Sequence, residues 1–276
     1  MFSPYYAHAR RRGHGDPYGY VAMNAALYGA AGKRWAMTER GRHDLERDDH
    51  SLRIGSSRMT WTSDALTIAI DEIAVPFGRR IRGTIRLYPS ALQSETFAID
   101  GSGAHLWRPI APVSRVEVDL AHPSLSWRGH GYFDHNAGAS PLEDAFTRWH
   151  WSRANSGHGA TIFYDVTPRS GQRAPLALHV TSGGQAHPID PPPLHTLPPT
   201  GWRIGRATRS DAGVAPRVIS TLEDTPFYAR SIVSASVAGT AMTAMHESLD
   251  LDRFRSPVVQ AMLPFRMPRR ARHSSG

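Results

Sequence analysis

Apolar and polar residues alternate with a period of two through most of this chain, and that pattern commits the backbone to β-strands. In LTIAIDEIAV (66–75), Leu66, Ile68 and Ile70 share one face. RRIRGTIRLY (79–88) sets Ile81, Ile85 and Leu87 on one side and Arg80, Arg82 and Arg86 on the other. The same signal predicts strands over 113–120, 124–134, 146–153, 161–166, 177–181, 227–238 and 240–251, with Ala238–Gly239 as a tight hairpin between the last two. Many short strands broken by Gly, Pro and Asp point to a sandwich or barrel. Helix signals are few, and the best runs over 253–262, where Phe254, Val258 and Met262 recur at spacings of four and Pro264 and Pro268 follow as stops. Pro257 interrupts it. The proline-rich stretch 187–201 reads as an extended surface loop, and 269–276 as a frayed end.

A chain of 276 residues, 40% apolar, holds one large β domain or two ordinary ones. It has no cysteine, which excludes disulfides, thiolate nucleophiles, iron–sulfur clusters and cysteine zinc sites together. Its 32 basic and 24 acidic residues give a net charge of +8, and Lys33 is the only lysine. Two readings of that arginine excess stay open: genome composition, or attraction to an anionic surface. Nucleic acid is not the expected partner, because no zinc-finger, helix-turn-helix or RNP-type pattern accompanies the arginines. No apolar stretch approaches the roughly 20 residues that span a bilayer. MFSPYYAHARRRG lacks the apolar segment of a signal peptide, so a soluble or peripheral protein is expected.

The stretch from His105 to Trp151 holds the densest chemistry. His105 and Trp107 are two apart, as are Tyr132 and Asp134, and Trp149 and Trp151, so each pair shares a strand face. Taken singly, each has a structural explanation: aromatic residues fill β cores, and an Asp at a strand end caps a turn. Asp134 differs in its setting, with Gly129 and Gly131 before it and Asn136 and Gly138 after it, which suits a cleft wall. Other carboxylates compete less well. Of Asp71 and Glu72 one is expected to face solvent, Glu143 and Asp144 open a strand, Glu39 lies among arginines, and Asp250 and Asp252 suit a helix cap. The 15 histidines show no metal-ligand spacing, no GxSxG elbow is present, and Gly101–Gly103 lacks the third glycine of a dinucleotide site.

FSPYYA, NAALYG, RWAMTERG, HLWRPIAP, GHGYFDHNAGASPLE and HESLDLDRF…MLPFRMPR, in that order, resemble the carotenoid 1,2-hydratase (hydroxyneurosporene synthase) family over nearly the whole chain. The resemblance implies a mostly β fold of two tandem lipocalin-like barrel or sandwich domains, 1–139 and 140–276, with a short C-terminal helix. Because longer members carry sequence before the position of Phe2, the first domain is expected to lack its first strands. The family adds water to the terminal C1=C2 bond of acyclic carotenes such as neurosporene or lycopene, without a cofactor. A bacterial cytoplasmic enzyme peripheral to the intracytoplasmic membrane is implied.

Carried over residue by residue, the resemblance assigns the site to Asp134, Tyr132, His105 and Trp107. Protonating an isolated alkene demands an un-ionised acid held against carbon, and a carboxyl in an apolar pocket keeps its proton because its charged form is poorly solvated. Trp107 and Tyr132 would face the tertiary carbocation with their π clouds. His105 would orient water and accept its proton, or else hydrogen-bond Asp134. Basic clusters at Arg10–Arg12, Arg80–Arg86 and Arg269–Arg272 would meet anionic headgroups, or serve only as solvated surface. The competing functions are a non-catalytic lipocalin-like carotenoid or lipid carrier and a related polyketide pericyclase or isomerase.

Overall fold

The computed structural model describes residues 2–29, 33–171 and 175–270. The chain opens with helix α1 (Pro4–Arg11), then strands β1 (Val21–Leu27), β2 (Arg34–Arg40), β3 (Leu45–Arg47), β4 (Ser51–Ile54) and β5 (Ser57–Trp61). Next come β6 (Leu66–Ala74), β7 (Arg79–Pro89), β8 (Phe97–Ala98) and two long strands, β9 (His105–His122) and β10 (Ser124–Gly138). After α2 (Leu142–Ala145) follow β11 (Phe146–Ser156), β12 (Gly159–Pro168), β13 (Leu176–Thr181), β14 (Ala186–Pro188), β15 (Leu194–Leu197) and β16 (Arg206–Arg209). The last elements are β17 (Arg217–Asp224), β18 (Tyr228–Val237), β19 (Thr240–Asp250), α3 (Leu251–Arg255) and α4 (Pro257–Arg266). The fold is mostly β, as the alternation required.

Two compact units interleave along the chain: Met1–Tyr88, Arg115–Gly129 and Gln260–Gly276 form one, Pro89–Ser114 and His130–Val259 the other. In the first, β6 pairs with β7 so that Leu66 lies opposite Leu87 and Ile68 opposite Ile85. Ile70, Ala74 and Ile81 then bury against Val116, Val118 and Leu120, with Met23 and Ala36 of the β1–β2 hairpin. A Cβ on Gly83, at φ 156°, would stand 2.3 Å from the carbonyl oxygen of Asp119, so this close approach requires glycine. Glu72 is buried with Arg40 at 2.8 Å, while Asp71 on the other face pairs with exposed Arg80. Glu39 is buried and bound by Arg269.

The second unit contains an antiparallel sheet of order β14-β13-β12-β11-β19-β18-β17. Most residues of β11 and β12 are buried, so both faces of the sheet are covered at these two strands. On one face Trp149, Trp151 and Arg153 stand opposite Val166, Tyr164 and Ile162. On the other, the β15–β16 hairpin covers the sheet: Arg209 grips Asp165 through Nε (2.9 Å) and Nη2 (2.6 Å), and Leu197 packs with Ala154, Val233 and Ala244. This sheet is an open path with edge strands among the described residues.

Two expectations need correction, and helix α1 adds an element that the alternation did not indicate. The C-terminal helix is two helices broken at Ser256, with Pro257 opening α4, where no N–H is needed, and Pro264 inside α4 rather than after it. The 187–201 stretch includes strand β15. Ser3 and Pro4 start α1, with the Ser3 hydroxyl accepting from the Tyr6 N–H at 2.8 Å. The expected frayed end lies, from residue 271 on, outside the described residues.

Candidate active site

β9 and β10 bring three of the four expected residues together. Trp107, fully buried, donates its indole N–H to Asp134 Oδ2 at 2.8 Å. The Tyr132 hydroxyl donates to the same oxygen at 2.9 Å. Two donors on Oδ2 leave Oδ1 as the oxygen able to carry a proton. Aromatic rings wall the site: Trp107 packs on Phe97 (5.7 Å between centroids) and Tyr164 (5.1 Å), Trp149 on Tyr164 (4.9 Å), and Tyr132 on Trp151 (5.2 Å). The Tyr164 hydroxyl donates to Asn136 Oδ1 at 2.7 Å.

Burial raises the pKa of the half-buried Asp134 above the usual aspartate value. The hydrogen bonds from Trp107 and Tyr132 pull it down, the charge of Glu247 pushes it further up, and the rise wins. Burial, then the charge of Asp134, lifts Tyr132 and Tyr164 well above the usual tyrosine value, so both remain hydroxyl donors. Burial lowers Arg153 to about 10, which leaves it charged near neutrality. Its guanidinium stands 5.2 Å from the Tyr132 ring centroid. It donates to the carbonyls of Pro112 (2.6 and 3.0 Å) and Gly131 (3.2 Å) and to Asn155 Oδ1 (2.6 Å). This buried cation therefore ties the two site-bearing strands to β11.

The structure does not bring His105 to Asp134. Its ring is buried against Phe146, with Nδ1 3.2 Å from Asp100 Oδ2 and Nε2 3.0 Å from the Ser140 carbonyl oxygen. Burial alone would raise Asp100, but hydrogen bonds from Ser102 and His105 outweigh it and hold the carboxyl below its usual value. Both ring nitrogens are thus engaged, one by a carboxylate and one by a backbone carbonyl, and neither faces Asp134. Gly138 makes room for this arrangement, since a Cβ there would stand 2.8 Å from the His105 ring.

A profile of the family described as "Carotenoid hydratase CrtC" matches residues 1–275. The chain belongs to this carotenoid hydratase family. The "Acyclic carotenoid 1,2-hydratase" of Thiocapsa roseopersicina is 57% identical over 270 residues, which cover 98% of this chain and 67% of that protein. The protein of the same name from Rubrivivax gelatinosus is 45% identical over 98% of this chain and 68% of its own length. That of Cereibacter sphaeroides is 41% identical over 98% and 95%. Among solved structures, CghA with Sch210972 overlaps 84% of this chain and 86% of its own at 12% identity and a TM-score of 0.45.

Within this family member, Tyr164, Asn136, Arg153 and Glu247 complete the surroundings of Asp134 and were missed in the sequence. Asn136 had a signal, two residues beyond Asp134 on the same face. Tyr164 and Arg153 sit in strands that bury polar and apolar residues alike, so residue type does not mark the side that carries the site.

Proposed function

We propose that this chain hydrates the terminal C1=C2 double bond of an acyclic carotene to a 1-hydroxy carotenoid, with Asp134 as the acid. One observation carries the assignment of Asp134: a carboxyl whose pKa burial raises above the usual aspartate value accepts two hydrogen bonds on one oxygen, Oδ2, and leaves Oδ1 able to carry a proton. Burial favours the protonated form before reaction. As Oδ1 gives its proton to C2, negative charge grows on the carboxylate, and the Trp107 and Tyr132 donors are already aimed at that charge. The tertiary cation at C1 meets the faces of Trp107, Tyr132 and their aromatic neighbours. His105 acts through Asp100 and Ser140 as a positioning residue for the start of β9. A carrier has no use for such an acid. Incubation with lycopene or neurosporene tests the reading: a product heavier by one water supports it, and unchanged carotene overturns it.

The substrate resides in lipid, and α4 supplies a reading of how it is reached. Val258 (69% exposed), Met262 (40%) and Phe265 (82%) line one helix face beside exposed Arg255 and Arg266. No helix among the described residues is long and apolar enough to cross a membrane. Of the arginine clusters expected to meet headgroups, Arg80 is held by Asp71 at 2.6 and 2.7 Å, Arg269 is bound to Glu39, and Arg272 lies outside the described residues. Arg11, Arg12, Arg82, Arg86 and Arg270 are exposed. Peripheral docking on anionic lipid predicts co-sedimentation with anionic liposomes that weakens with salt; equal binding to neutral vesicles contradicts it.

A further inference from the structure

We propose that Trp151 and Glu247 form the water half of this site, Trp151 holding the nucleophilic water by its indole N–H and Glu247 taking the proton that water must lose. The proposal rests on the reading of Asp134 as the acid. Hydration of the C1 cation gives an oxonium, and something must accept its proton. The acceptor that sequence reasoning favoured, His105, has both ring nitrogens occupied.

Trp151 is 9% exposed, and its Nε1–H is buried without a hydrogen-bond partner among the described residues. A buried donor left unmade is costly, so this N–H marks a place for an oxygen that the protein does not supply. Its ring packs on Tyr132, whose hydroxyl holds Asp134, so the donor belongs to the same aromatic wall. Directly across the β11–β19 ladder from Trp151 stands Glu247, on the same face of the sheet. Cβ atoms of such pairs lie about 5 Å apart. Arg230, opposite Glu247 on β18, donates to Glu247 Oε1 through Nη2 (2.6 Å) and Nε (3.0 Å). That two-point contact fixes the position of the carboxylate. The Glu247 and Arg230 side chains are 24% and 30% exposed, so a proton received there has a route to solvent. The charge of Glu247 is felt at both Asp134 and Tyr164, which places it within electrostatic reach of the acid.

The steps balance. Asp134 transfers its Oδ1 proton to C2, and the π electrons form the C2–H bond, leaving the cation at C1. The oxygen of the water on Trp151 bonds to C1, and the oxonium passes one proton to Glu247. Glu247 releases that proton to solvent and Asp134 regains one, so the net change is addition of one water.

The test uses the full chain with lycopene in neutral liposomes, reading kcat and KM. Glu247→Gln should lower kcat at least about 100-fold with KM within twofold, the scale of a lost general base. Trp151→Phe, which keeps the ring and loses the N–H, should lower kcat roughly five- to tenfold. Added formate should restore Glu247→Ala at least tenfold, a repair that a distorted pocket would not show. An active parent with undiminished Glu247→Gln or Trp151→Phe variants, or a folded Glu247→Ala that formate does not restore, overturns the proposal. A parent that makes no alcohol overturns instead the hydratase reading on which it stands.

Discussion

Tyr132→Phe isolates the part of Asp134's environment that acts only as its charge develops. The substitution keeps the ring that packs on Trp151 and under Arg153 and removes one hydroxyl, 2.9 Å from Asp134 Oδ2. In the resting enzyme that hydroxyl bonds a neutral acid, worth about 0.5–1.5 kcal/mol; beside the carboxylate it is worth about 1.5–3 kcal/mol. Catalysis feels only the difference, about 1–1.5 kcal/mol, so kcat should fall roughly five- to twelvefold with KM little changed. The pH dependence carries a second sign. Asp134 works when protonated, so activity is full below its folded-state pKa and is lost as pH rises through it. Removing a donor that favours the carboxylate raises that pKa further, so the alkaline limb should move to higher pH while the plateau falls. Initial rates of alcohol formation from lycopene across pH, with thermal melting to confirm the fold, measure both. An unchanged plateau, or a limb displaced toward acid, refutes this account of the two donors.

Asp134→Asn should abolish hydration, by at least about 100-fold, and yet stabilise the fold at neutral pH. The folded-state pKa of Asp134 is raised, so its contribution to stability is fully present below the unfolded value, about 3.9, and is lost as pH rises through the folded one. The amide escapes that loss, worth about 1.4 kcal/mol for every tenfold change in acidity, so denaturant titrations should agree in acid and favour the variant near neutrality. Asp165→Asn, which strips the buried partner from Arg209, should cost about 3–5 kcal/mol in the same titrations; a loss below 1 kcal/mol would show the pair to be dispensable.

Much of this architecture was legible because half-covered strands keep their alternation. β6 and β7 fall within a residue or so of the stretches read from Leu66 and Arg79. The hairpin at Ala238–Gly239 is present, with both residues at positive φ. Legibility failed where both sheet faces are buried: β11 and β12 bury polar residues such as His150, Ser152 and Asp165 along with the apolar ones, so Trp151 was seen while its neighbours Tyr164 and Arg153 were not. Strand parity placed His105 beside Trp107, but parity knows nothing of Asp100 and Ser140, which claim the ring at the strand's first residue. Glu247 reads as an ordinary polar position in HESLDLD, and only the β11–β19 and β18–β19 registers set it between Trp151 and Arg230. The short strands β3 to β5 lack enough residues for any period to show.

The central claim is that an acid directed at carbon begins the reaction, and hydration in heavy water tests it most directly. With lycopene in D2O, the account predicts an alcohol carrying one non-exchangeable deuterium on C2, next to the C1 that bears the hydroxyl. Failure to form the alcohol while the carotene binds, or an alcohol without deuterium on carbon, would contradict it.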